Sequence, residues 1–244
     1  LLEALPFPQN YQIVFMLGFG TSLISLRHLF QVRVESRVVP PSPPLAQMVR
    51  QQMSSPDTRS VVYVTLTAFI AFYFIVGVIP VHLEALGAGE GFISIFGVVE
   101  LLAAAVSTAL TVRLVRFLGY RSLVAVSVIA TAAAAAILGL TTNLWVTLSA
   151  AAFTGAAWTL ADIAMFGYFA ERTNTENIGA TMVYNEVMYV GIFIGPLLGN
   201  GLVQLGVSTA TVLLIGAGLR LLGGIVVQWG SGQRKQTPAA VLVD

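Results

Sequence analysis

The sequence has no cysteine, two histidines and a single lysine, Lys235. Without cysteine there is no disulfide, no thiolate nucleophile and no cysteine metal ligand. His28 and His82 stand far apart, which argues against a histidine metal cluster. Charge is also scarce. Only 9% of residues are charged, against about 25% in an ordinary soluble domain. The net charge of +1 offers no footprint for nucleic acid, and none is expected as a partner. Catalytic signatures are missing as well. There is no HExxH and no GxSxG, and no Gly-rich phosphate loop that would make the chain an ATP-driven pump. No metal and no cofactor is expected, and no enzyme activity.

What remains is apolar. Hydrophobic residues make up 57% of the chain. A helix needs about 20 predominantly apolar residues to cross a bilayer. Seven windows meet that length: 11–30, 61–81, 92–115, 122–140, 144–169, 178–205 and 207–228. The expectation is an all-α polytopic membrane protein. The basic residues test the count. If the spans alternate, every Lys and Arg except Arg220 falls on one side, while Glu3, Glu84 and Glu90 fall on the other. The positive-inside rule makes the basic side cytoplasmic and places the C-terminus there. The lipid bilayer is thus the first partner, and the plasma (inner) membrane the expected location. Trp145 and Trp229 fall at span ends, as interfacial indoles do.

The first residues, LLEALPFPQN, lack a basic n-region and an A-x-A site, so they do not read as a signal peptide. The chain is expected to be cut from something longer. Four regions follow: a helix over 1–32, a cytoplasmic Pro-rich linker over 33–58 containing VVPPSPPL, six spans over 59–230 and a tail over 231–244. Within the linker, LAQMVRQQM could lie on the membrane surface as a short helix. The six spans divide into two triplets of similar length, 61–140 and 144–228. Because three is odd, the second triplet enters the membrane in the opposite sense, as in a 3+3 inverted repeat.

The stretch VYNEVMYVGIFIGPLLGNG combines a carboxylate, Glu186, with glycines at every fourth position: Gly191, Gly195 and Gly199. Such a ladder makes a smooth strip where helix backbones approach closely. It reads either as static packing or as a sliding contact. Pro196 removes one backbone donor and could bend the helix. Glu186 turns away from the glycine strip, since five residues rotate a helix by roughly 140°.

GIFIGPLLGNG resembles the G-x-x-x-G-P-x-x-G pattern of the major facilitator superfamily, with Gly191, Gly195, Pro196 and Gly199 in the matching places. RLVRFLGYRSL resembles that family's cytoplasmic G-x-x-x-D-R-x-G-R-R loop in its degenerate repeat. Gly119 and Arg121 match there, while Val112 and Arg116 replace the first glycine and the aspartate. FPQNYQIVFMLGF followed by a basic linker looks like the family's sixth helix. The resemblance covers essentially the whole chain, as helix six, the central loop and helices seven to twelve. It implies a six-helix transporter half preceded by one transmembrane helix, with the N-terminal half of the same protein missing. It also implies alternating access with a small-molecule substrate.

Intramembrane polar residues are the site candidates, because charge at such depth costs about 2.5–3.5 kcal/mol on insertion scales and normally faces protein or water. Asp162 shares a face with Gly155, Trp158, Thr159 and Phe166. A carboxylate beside an indole can hold a cation or a proton-linked substrate; the bland alternative is a structural pair near the interface. Asp162 and Glu186 lie at similar depth on adjacent antiparallel spans, and Glu186 could serve protons or merely bond helix ten. Glu100, on a small polar strip with Gly97, Ala104, Ser107 and Thr111, reads as a gate or a packing pair. Arg220 reads as an anchor, snorkelling toward Glu186. Phe69, Phe72, Tyr73 and Phe74 could line a cavity or simply pack.

The leading expectation is a secondary transporter coupled to protons through Asp162 or Glu186, exporting amphipathic molecules as an antiporter. A seven-helix receptor, or an accessory membrane subunit without transport, stays open. A retinal protein does not, because Lys235 lies outside every span. An acid pair of Asp162 and Glu186 could in principle be catalytic, but no flanking motif supports it.

Overall fold

The computed structural model describes residues 56–173 and 178–229, with scattered positions between 16 and 54. Most of the expected first span, most of the Pro-rich linker and the tail lie outside the described residues. Among the described residues there is no strand. From residue 56 on, the described residues form six helices in order: α1 (Pro56–Val76), α2 (Ile79–Ala85), α3 (Glu90–Leu140), α4 (Leu144–Thr173), α5 (Ile178–Gln204) and α6 (Thr209–Trp229). Among the described residues, five stretches are long and apolar enough to cross a membrane, α1 and α2 counting together as Val62–Ala85. The chain is therefore an α-helical, membrane-embedded protein.

Local chemistry sets the helix ends. Pro80 has no N–H for the Val76 carbonyl, so α1 stops and α2 begins across Gly77 and Val78. Asn143 caps α4 by accepting from the Trp145 N–H at 2.9 Å, and Ser208 caps α6 by accepting from the Thr211 N–H at 3.2 Å. At the end of α5, Gly206 takes φ 88°, and Val207 N–H donates to the Leu202 carbonyl at 3.0 Å. This is a left-handed helix stop that glycine reaches without penalty.

The 51 residues of α3 would reach about 76 Å as a straight rod, more than twice a hydrocarbon core of about 30 Å. They do not form one rod. Gly119 has φ 73° and ψ 159°, a region open essentially to glycine alone, and the chain turns back there. The first arm starts where Phe92 meets Trp145 at 5.8 Å and ends where Tyr120 lies against Gly167. The second arm starts beside the end of α6, where Arg121 donates to the Val227 carbonyl at 3.0 Å and to that of Gln228. It finishes at Leu140, with three residues between it and α4, whose second residue is Trp145. The arms are antiparallel, and the expected windows 92–115 and 122–140 correspond to them.

α5 runs alongside α1 in the same direction, Gly191 facing Phe69, Gly195 facing Tyr73 and Gly199 facing Phe74. α6 runs against both α1 and the second arm, with Gly216 at Ile75 and Gly224 at Ala125 and Ile129. The helix continues through Pro196.

Two apolar clusters fill the bundle. One gathers Phe69, Leu123, Met165, Phe169 and Tyr184, and the other Ile75, Val78, Leu83, Leu138 and Leu213. Small residues such as Ala134, Ala135, Ala150 and Ala151 are fully buried, which lets backbones come close where lipid gives no hydrophobic drive. His82 pins the second cluster's end. Its Nε2 donates to the Leu138 carbonyl at 2.9 Å, and its Nδ1 lies 2.9 Å from the Thr209 hydroxyl. The outer faces stay apolar, as at Leu101, Leu102, Leu221 and Leu222.

Candidate functional site

The glycine ladder of α5 makes the site possible. A Cβ at Gly191 would strike the Cβ of Phe69, and one at Gly195 would lie 2.7 Å from the Cβ of Tyr73. A Cβ at Gly199 would meet the Phe74 carbonyl. With hydrogen in those places, α5 sits on the α1 backbone just where α1 carries its aromatic residues. The expected close contact is therefore between α5 and α1. Glu186 is on another face of α5 and exposed.

α4 supplies the acid. Asp162 is half-buried, and the Tyr184 hydroxyl of α5 donates to its Oδ1 at 2.7 Å. That hydroxyl also lies 3.2 Å from the Asp162 backbone carbonyl. Tyr73 of α1 feels the same carboxylate electrostatically. Around them the rings of three helices form one cluster. Trp158, one turn before Asp162, stacks on Phe72 at 3.6 Å and 19°. It meets Phe69 edge-on at 5.4 Å and Tyr73 at 5.6 Å. Tyr184 meets Phe69 at 5.8 Å and Phe166 at 5.3 Å. These are the offset and edge arrangements that ring quadrupoles favour.

Phe69 and Phe72 are buried and form the back of the cluster, whereas Tyr73, Trp158 and Asp162 keep part of their surface open. Of the expected residues, the fold brings together Asp162, Trp158, Phe69, Phe72 and Tyr73, with Gly191 and Gly195 behind them. It leaves Glu186 outside and puts Gly119 and Arg121 at the turn between the two arms of α3. There Arg121 covers the last carbonyls of α6, an end that otherwise lacks donors.

Arg220 differs from its expected place. It does not snorkel toward Glu186, because it is 1% exposed and sits in the interior. Its Nε donates to the Ala71 carbonyl at 3.1 Å, Nη1 to Thr131 at 3.1 Å and Nη2 to Phe72 at 2.5 Å. The acid whose charge acts on it is Glu100. Glu100 is half-buried, its backbone tight against Gly155 of α4. The guanidinium also lies over the Phe72 ring, 4.5 Å from its centroid.

Tyr184 was the residue that spacing did not single out. It lies as far after Thr173 as Asp162 lies before it, so depth matching across the α4–α5 turn carried the signal. Among the described residues, no group of three or more His, Asp or Glu could hold a metal ion. The arrangement offers one carboxylate, its phenol donor and a set of π surfaces. No family model matches the chain, and no curated protein matches its sequence.

Proposed function

We propose that the chain is the C-terminal portion of a major facilitator superfamily transporter. In this reading it moves a small amphipathic molecule across the plasma (inner) membrane by alternating access, as a proton-coupled antiporter working in efflux. The observation that carries the reading is the Asp162 carboxylate: it lies inside a span, holds a tyrosine hydroxyl and is ringed by aromatic side chains of three helices. Acids in spans are retained at substrate and proton sites because they are costly elsewhere. The two arms of α3 support six crossings, which in this reading group as two triplets of opposite sense with the C-terminus on the cytoplasmic side. The missing N-terminal half would close the site, and α5 against α1 would be the contact that slides, since α5 presents glycines there.

Two experiments test this. Reading the coding sequence upstream of Leu1 should reveal about five further apolar spans. Full-length protein in proteoliposomes with an imposed pH gradient should move protons when an amphipathic substrate is added. Asp162→Asn should abolish that movement while leaving the helical circular dichroism unchanged. Undiminished coupling in the variant would remove Asp162 from the mechanism. No transport by the wild type would favour a receptor or an accessory subunit.

A further inference from the structure

The turn between the two arms of α3 gathers three arginines, Arg113, Arg116 and Arg121. Arg121 is occupied, because it donates to the Val227 and Gln228 carbonyls of α6. Arg113 and Arg116 are exposed and make no hydrogen bond or ion pair among the described residues. Their own helix brings no acid near them. Glu100 is the last carboxylate before Asp162 in the chain, and it stands about 20 Å back along the arm from Arg113. Its charge acts on Arg220 in the interior.

The first arm has two unlike sides. On one side α4 packs closely, with Gly155 at Glu100 and Gly167 at Tyr120, and Ser107 and Thr111 of the arm are buried. Another face carries Leu102, Val106, Leu110, Arg113 and Phe117, which follow one another at steps of three and four residues and so line up along the helix. Leu102 and Val106 are 62% exposed and Phe117 is 84% exposed. This face is apolar along the arm and becomes basic at its end, where Arg116 stands one turn beyond Arg113.

That order matches a phospholipid, whose acyl chains lead to a charged phosphate. Arginine meets phosphate through paired N–H donors, while its stem lies along apolar surface and its head stays at the boundary. We propose that this face holds an anionic phospholipid, its phosphate between Arg113 and Arg116 and an acyl chain along Leu110, Val106 and Leu102. The two guanidinium charges select a headgroup of net negative charge, since the ammonium of a zwitterionic head would be repelled by them. Under the transport reading this is the cytoplasmic leaflet, where anionic lipids attract basic surface. The site itself needs only that the first arm crosses the bilayer. It also needs this face to meet lipid in the full-length protein.

The test is native mass spectrometry of purified full-length protein, equilibrated with equal amounts of phosphatidylglycerol and phosphatidylcholine carrying the same acyl chains. Phosphatidylglycerol should be retained over phosphatidylcholine by about tenfold or more, as expected for two arginines acting on one headgroup. The double variant Arg113→Gln, Arg116→Gln should bring the two lipids near parity. Arg59→Gln removes an exposed arginine of α1 and should leave the preference intact. Excess glycerol phosphate should not displace the lipid, because the apolar face holds its chain. Should the double variant fail to fold, the wild-type preference and the Arg59→Gln comparison still decide. No preference for phosphatidylglycerol, an unchanged preference in the double variant, an equal loss in Arg59→Gln or displacement by glycerol phosphate each overturns the proposal. Loss of transport with lipid preference intact would sink the transport reading and leave this site standing.

Discussion

The Arg220 guanidinium and the Phe72 ring are in contact, 4.5 Å from charge centre to centroid, while Arg220 Nη2 donates to the Phe72 backbone carbonyl at 2.5 Å. One side chain of α6 thus holds a ring and a carbonyl of the same α1 residue. Through Thr131 it also ties in the second arm of α3. Because Phe72 stacks on Trp158, the position of the indole beside Asp162 depends on this clamp.

Arg220→Gln should therefore destabilise the protein by about 3 kcal/mol or more, because it weakens or removes charge-assisted hydrogen bonds to three carbonyls, each of which contributes about 1.5–3 kcal/mol. Arg220→Lys keeps the charge but loses the planar fork that reaches three carbonyls at once, and should fall between. Thermal unfolding in detergent measures both. Near-ultraviolet circular dichroism of Trp158, in a background lacking Trp145 and Trp229, should change in each variant. An unaltered Trp158 signal in Arg220→Gln would show that the clamp does not set the indole.

Gly195→Ala should lower stability by about 1–3 kcal/mol, the usual cost of overpacking. Its Cβ would lie 2.7 Å from the Tyr73 Cβ and 2.8 Å from the Phe74 nitrogen, and backbone cannot swing aside as a flexible side chain can. Gly201→Ala is the matched control in the same helix, since nothing lies within 4 Å of its Cβ position. Equal melting temperatures for the two variants would rule out a tight α1–α5 contact.

Gly119→Ala should cost about 1–3 kcal/mol from backbone strain alone, because φ 73° with ψ 159° suits no L side chain. Gly97→Ala, in the first arm of α3 with nothing within 4 Å, should be neutral or slightly stabilising through helix propensity. Similar melting of both would mean that the turn between the arms adopts another conformation.

Tyr184→Phe removes the hydroxyl that donates to Asp162 Oδ1 and leaves every ring contact in place. A hydrogen bond to a charged group contributes about 1.5–3 kcal/mol. In the transport assay the variant should keep coupling but shift its pH profile relative to wild type, with a lowered melting temperature. A profile identical to wild type would remove Tyr184 from the site.

Much of the architecture was legible because span length and hydropathy are local properties. About 20 apolar residues in a row can satisfy their backbone in lipid only as a helix. The windows over 92–140 could be read as two spans because the basic residues between them, Arg113, Arg116 and Arg121, do not belong in hydrocarbon. The glycine ladder was legible for the same reason: its spacing fixes a face without saying what that face meets. Asp162 and Trp158 could be paired because one helical turn separates them.

Which helix met which face had no local signal. That α5 would lay its glycines on the α1 residues Phe69, Tyr73 and Phe74 depended on how distant segments pack. So did the choice of Tyr184 as the donor to Asp162. Arg220 is the plainest case. Alone in a sequence, a long basic side chain in a span reads as one that reaches for the interface, because its own helix offers it nothing else. Only the tertiary structure brings the carbonyls of Ala71, Phe72 and Thr131 and the charge of Glu100 around it. The sequence by itself determined that the chain lies in a membrane as helices, since lipid leaves the backbone no other choice. The packing of those helices decided which charges find partners, because desolvated groups are matched by neighbours in space and not by neighbours in the chain.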